Sequence, residues 1–152
     1  LIGSSGEVPE DGADFTLPIG RSEVRREGGD ITIVGVSTMV RAALSAAESL
    51  AEDNGIEAEV IDVMSLSPLD SDTIIASVKR TGQLCIVHEA HAPCGIGAEI
   101  IARVVEQAHG ALKAAPLRIT PPFAPSPFAP VLEKAYLPNA ARIADEIRAL
   151  LA

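Results

Sequence analysis

Between Asp30 and Leu151, short β-branched runs alternate four times with amphipathic stretches, and this alternation limits the possible folds more than any other feature. The first run, Ile31-Thr32-Ile33-Val34-Gly35-Val36, suits a buried strand. Val40, Ala43, Leu44, Ala47, Leu50 and Ala51 then recur at helical spacing. Ser37 or Thr38 is placed to cap that helix and Asn54-Gly55 to stop it. Ala58–Val63 reads as a second strand. Ser67-Pro68-Leu69-Asp70 opens a second helix with Leu69, Ile74, Ile75 and Val78 facing inward, closed by Gly82. Gln83–Val87 is a third strand. A third helix runs from about Gly95 to His109, with Ile100, Ile101, Val104, Val105 and Ala108 as its stripe. Leu117-Arg118-Ile119 is a short fourth strand. The prolines from Pro121 to Pro130 argue against regular structure there. A last helix covers Ala140–Leu151, with Ile143, Ile147, Leu150 and Leu151 on one face. Such alternation implies βαβ units: an α/β fold with a mostly parallel sheet and helices on both faces.

The remaining chain, residues 1–29, is polar and rich in Gly, Pro and acidic residues, with an apolar patch at Phe15-Thr16-Leu17-Pro18-Ile19. It reads as a connector with a short edge hairpin expected over Ile19–Arg26, ahead of a single domain at 30–152. A chain of 152 residues buries about 70% of its unfolded surface. Hydrophobic residues make up 47% of it but aromatics only 3%, so the core must be aliphatic. No apolar run approaches the ~20 residues of a membrane span, so the chain is expected to be soluble and to make no membrane contact. The first residues have no basic region before an apolar stretch, so no signal peptide is expected. Without an initiator Met, the chain is expected to be part of something longer.

Twelve Lys and Arg against 21 Asp and Glu give a net charge of −9. Such a surface repels a phosphate backbone, so no nucleic-acid partner is expected, and it attracts a basic protein instead. Two cysteines, Cys85 and Cys94, make no disulfide framework and fit a reducing compartment.

Candidate chemistry concentrates in Leu84–Ile100, where an apolar run ends in His88-Glu89, a Pro/Gly turn follows, and a helix starts at the glycines. Open α/β sheets place their sites in this arrangement. Gly95-Ile96-Gly97 resembles the start of a dinucleotide fingerprint, but the third glycine would fall at Ile100. A sharp turn with close helix packing is the better reading of the glycines. His88, His91 and Cys94 have metal-ligand spacing, with Cys85 as a fourth candidate, yet Cys85 lies within the strand. A zinc-deaminase signature needs His-x-Glu and Pro-Cys-x-x-Cys; here His88-Glu89 are adjacent and Pro93-Cys94 is followed by Gly97. Cys94 with His91 would make a nucleophile and base, with no third group in sight to hold them. Glu99 is favoured in a first helical turn by the dipole alone. Glu89 suits either a buried contact or acid–base work. No catalytic, cofactor-binding or metal-ligating residue is assigned.

Six segments occur in order: Asp30-Ile31-Thr32-Ile33-Val34-Gly35, Glu59-Val60-Ile61-Asp62-Val63, Leu66-Ser67-Pro68-Leu69-Asp70, Val87-His88-Glu89-Ala90, Gly95-Ile96-Gly97-Ala98-Glu99-Ile100 and Glu133-Lys134-Ala135-Tyr136-Leu137-Pro138. Together they closely resemble the C-terminal domain of the beta subunit of thiamine-diphosphate-dependent 2-oxo acid dehydrogenases, the pyruvate, branched-chain and acetoin enzymes. Glu7-Val8-Pro9-Glu10, Leu17-Pro18-Ile19-Gly20-Arg21 and Arg26-Glu27-Gly28 look like that family's interdomain connector.

The resemblance implies a transketolase C-terminal-type domain: a three-layer α/β/α sandwich on a five-stranded, mostly parallel sheet with one antiparallel edge strand. It implies an intact enzyme that oxidatively decarboxylates a 2-oxo acid and passes the acyl group to lipoamide. Thiamine diphosphate and Mg would be bound by other parts, and this domain alone would be inactive. The implied partners are the subunit's own N-terminal domain, a second beta subunit, the alpha subunit, and the peripheral-subunit-binding domain of the dihydrolipoyl acyltransferase. The implied location is the bacterial cytoplasm, or the mitochondrial matrix in a eukaryote. His88, Glu89, His91, Cys94, Gly95, Gly97 and Glu99 become interface candidates. Two loops depart from the family: Ala90-His91-Ala92-Pro93-Cys94-Gly95 replaces a usual Ala-Pro-(Arg or Leu)-Thr-Gly-Gly, and Thr120–Pro125 lacks an acidic residue often present there. The rival reading is a small metal-binding or Cys/His enzyme built on His88, His91 and Cys94.

Overall fold

A computed structural model of the chain describes residues 16–152. Its strands are β1 (Glu23–Arg26), β2 (Ile31–Gly35), β3 (Ala58–Asp62), β4 (Leu84–Val87) and β5 (Leu117–Ile119). Its helices are α1 (Met39–Asn54), α2 (Ser71–Thr81), α3 (Ile96–Ala108), α4 (Pro130–Tyr136) and α5 (Ala140–Leu151), with a 3-10 turn at His109–Ala111. The strands form one sheet in the order β1-β3-β2-β4-β5. β2 runs parallel to β3 and β4, β4 runs parallel to β5, and β1 is antiparallel to β3. This is the five-stranded mixed sheet that the resemblance implies.

The layers follow from alternation along each strand and from a reversal of winding. Side chains two apart share a sheet face. Ile31, Ile33 and Val60 therefore pack with α1 and α5, while Val34, Ile61 and Ile86 pack with α2 and α3. The chain winds from β2 outward to β3, then crosses back over β2 to β4. With crossovers of one hand, that reversal sends α1 to one face and α2 and α3 to the other. The crevice created by the reversal lies at the carboxyl ends of β2 and β4, where open α/β sheets bind ligands.

Several local features differ from the sequence reading. The edge hairpin over Ile19–Arg26 is instead the single strand β1, whose partner is β3. Neither Ser37 nor Thr38 caps α1 with its side chain: Thr38 is already helical, and the turn closes through Met39 N to Val36 O at 3.2 Å. The second helix begins one residue after Asp70, whose carboxylate accepts Thr73 N at 3.3 Å and Ser22 N at 2.8 Å. Burial pushes that carboxyl up, but these bonds and nearby Arg21 outweigh it and leave its pKa below the usual range. Val105 does not join the inner stripe of α3; it is 37% exposed. The proline-rich passage ends in a helix, α4, because Pro130 occupies the first helical position, where a missing N–H costs nothing. The connector residues 1–15 lie outside the described residues. No described helix is long and apolar enough to cross a membrane.

Candidate functional site

His88 ends β4 at the reversal crevice, its N–H bonded to Ile119 O at 3.3 Å so that the ladder runs one residue past the strand. Its side chain is only 1% exposed. The ring packs against the first turn of α3, where glycine is required. A Cβ on Gly97 would stand 2.6 Å from His88 Nε2, and one on Gly95 would stand 2.6 Å from Cε1. The two glycines thus serve close packing, and the histidine fills the space they leave. Neither ring nitrogen has a hydrogen-bond partner among the described residues. Burial, with the Arg118 charge second, holds the imidazole pKa below its ordinary value, so the ring is neutral at neutral pH.

Beyond His88 the chain turns through Cys94, whose φ of +58° is left-handed. Arg118 Nη1 donates to Ala92 O at 2.9 Å and ties this loop to β5. His91 faces the proline-rich passage: its Nε2 lies 2.6 Å from Tyr136 Oη and 3.1 Å from Ala124 O. Tyr136 Oη donates to Ala124 O at 2.9 Å. Nε2 of His91 and Oη of Tyr136 thus converge on the same Ala124 carbonyl. Phe123 meets the same imidazole edge-on, with ring centroids 5.1 Å apart.

These contacts shape an open cleft of about 450 Å³ lined by Glu89, His91, Cys94, Glu133 and Tyr136, among others. Across His91 lies a recess of about 290 Å³ lined by Phe123, Ala124 and Pro125. Of the sequence candidates, Glu89, His91, Cys94 and Gly95 line the cleft, while His88 and Gly97 do not and pack on each other instead. Glu99 stands apart, paired along α3 with Arg103 at 2.7 Å.

The geometry does not assemble the chemistry of the rival reading. Among the described residues, no three of His, Cys, Asp and Glu gather closely enough to hold a metal ion. Cys85 is buried in β4, where desolvation, with Glu146 second, pushes its thiol pKa far up. His91 spends Nε2 on Tyr136, and Cys94 makes no hydrogen bond to it among the described residues. The cleft residues missed from sequence are Glu133 and Tyr136 on α4. The available signal was Pro130, a helix-starting proline six residues before Tyr136, the chain's single tyrosine.

Comparison with known proteins agrees with this architecture. The family described as Transketolase, C-terminal domain, matches residues 20–143. The chain is 49% identical over 148 residues to the acetoin:2,6-dichlorophenolindophenol oxidoreductase subunit beta of Cupriavidus necator, covering 97% of this chain and 43% of that protein. It is 41% identical over 145 residues to the pyruvate dehydrogenase E1 component subunit beta of Bacillus subtilis, covering 95% of this chain and 43% of that one. The chain therefore spans less than half the length of these curated relatives. A solved structure described as a split gene transketolase, an inactive beta4 tetramer, superposes with a TM-score of 0.76 at 29% identity, covering 95% of this chain and 46% of that one. The sheet order, the three layers and these matches together show that the chain belongs to the transketolase C-terminal domain family, with the beta subunits of acetoin and pyruvate dehydrogenases among its relatives.

Proposed function

We propose that this chain is the assembly and docking domain of the beta subunit of a 2-oxo acid dehydrogenase, and that it performs no catalysis alone. One observation carries the reading. At the end of β4, where an α/β sheet of this kind would bind a ligand, His88 is buried and packed on Gly95 and Gly97. In this reading residues 1–29 connect to the subunit's own N-terminal domain. The other partners are a second beta subunit, the alpha subunit and the peripheral-subunit-binding domain of the dihydrolipoyl acyltransferase, in the bacterial cytoplasm or the mitochondrial matrix. A net charge of −9 favours a basic partner of that kind.

Oxidative decarboxylation of a 2-oxo acid and acyl transfer to lipoamide then belong to the whole enzyme. The described residues do not fit thiamine diphosphate. The ring of His88 occupies the space beside the α3 N terminus that a diphosphate would need, and the charged side chains lining the neighbouring cleft are carboxylates, which repel it. No step of that reaction is assigned to residues of this chain.

Isothermal titration of the purified chain with thiamine diphosphate and Mg, alongside an assay of pyruvate decarboxylation, tests the reading. Neither binding nor turnover is expected. Saturable cofactor binding at micromolar concentration would overturn it.

A further inference from the structure

We propose that the amino ends of β2 and β4 carry a binding site for a small aliphatic α-amino acid, held as its zwitterion. The site lies at the opposite end of the strands from the His91 cleft, and it does not depend on the docking role.

A pocket of about 390 Å³ opens there, lined by Asp30, Ile56, Gln83, Lys113 and Leu151. Asp30 and Gln83 immediately precede β2 and β4. Gln83 is the informative residue. It is 8% exposed, and its Oε1 is buried with no hydrogen-bond partner among the described residues. A buried amide oxygen without a donor is costly, and in a native fold it calls for an explanation. A ligand that brings an N–H to this wall supplies one.

The other lining groups define that ligand. Lys113 Nζ donates to Thr81 O at 3.0 Å, and its stem lies against Gly82, where a Cβ would stand 2.6 Å from Cε. The ammonium is thereby held in place, and it makes no other hydrogen bond among the described residues. Its remaining N–H groups are open to a carboxylate. Asp30 Oδ2 accepts Glu57 N at 2.7 Å, while Oδ1 takes no hydrogen bond among the described residues. Helix α1 ends at Asn54, just before Ile56, and α5 ends at Leu151, so two helix carboxyl ends add negative dipole here. With Gln83 Oε1, these acceptors suit an ammonium group. Ile56 and Leu151, both half-buried, supply an apolar wall. A carboxylate, an ammonium and an aliphatic side chain joined at one carbon meet all three requirements. Charge argues the same way. On a chain of net charge −9 a zwitterion meets no long-range repulsion, and a simple carboxylate does.

The experiment titrates the purified chain with L-leucine and follows the side-chain NMR signals of Gln83 and Lys113. Two comparators each lack one charged group: isocaproate has no ammonium and isopentylamine has no carboxylate. Leucine should shift both sets of signals with half-saturation at about 1 mM, and should bind about tenfold more tightly than either comparator. Glycine, which lacks the apolar part, should bind more weakly than leucine. K113Q should reduce leucine to the affinity of the amine, and D30N to that of the carboxylate. Both substitutions are at exposed positions, and circular dichroism melts check that the variants fold. Equal affinity of the wild-type chain for leucine and isocaproate would overturn the zwitterion assignment. Signals that stay unmoved by leucine, or folded K113Q and D30N variants that bind it as wild type does, would overturn the site.

Discussion

His88 occupies the space where a side chain on Gly97 would begin: a Cβ built there would lie 2.6 Å from Nε2 of the imidazole. The strand end and the helix start are therefore matched in size, one large residue against one with none.

That match predicts the effect of Gly97→Ala. In an open helical turn the change would be favourable, since alanine is the better helix former. Here it should destabilise by about 1–3 kcal/mol, the usual cost of overpacking. Adding His88→Ala should return part of the loss. Urea melts of the two single variants and the double variant measure the coupling, and strictly additive losses would contradict the contact.

The same histidine makes stability depend on pH. Its folded pKa lies below the unfolded value, because burial and Arg118 disfavour the charged ring. Its contribution is therefore complete above the unfolded value of about 6.5 and is lost as pH falls from there toward the folded value. Wild type should lose stability between pH 7 and pH 5, and His88→Asn should lose less over the same interval. Urea melts at a series of pH values provide the check.

Ile100 is 1% exposed on the face of α3 that packs with Ile86 and Val104. Ile100→Asp places an unpaired carboxylate there and should cost about 4 kcal/mol or more, enough to abolish a cooperative thermal transition. A melt near that of wild type by circular dichroism would contradict the assignment of that face.

Tyr136→Phe removes the hydroxyl that joins His91 to Ala124. The loss should be modest, about 1 kcal/mol, because one partly exposed hydrogen-bond bridge is at stake. Its local effect should be larger. Amide hydrogen exchange should quicken at 90–95 and 124–136 while β2 and β4 keep their protection, and uniform quickening would contradict a local role.

Much of the fold is legible in the residues because strands and helices here declare themselves locally. Ile31–Gly35 and Leu84–Val87 are apolar at almost every position, as strands covered on both faces must be, and both are buried throughout. Ile100, Val104 and Ala108 recur every four residues and are buried together. Val105 belongs to the same stripe by spacing, yet it is exposed. Periodicity says which residues share a helix face, but the width of the covering layer is set by the neighbouring elements.

The site was half legible. Glu89, His91 and Cys94 could be marked from the strand-turn-helix pattern, since that pattern fixes where a strand ends and what stands at its tip. Their partners could not. Tyr136 lies 45 positions beyond His91, on a helix that starts at the last proline of a proline-rich passage, and no local rule links the two. By itself the sequence determined the element types, the aliphatic core, the acidic surface and the family resemblance, all of which are sums of local preferences. Only the tertiary structure decided that His88 is packing rather than ligand, and that His91 divides an acidic cleft from an apolar recess. Those outcomes depend on which distant backbone approaches the strand end, and that is settled by how the layers pack.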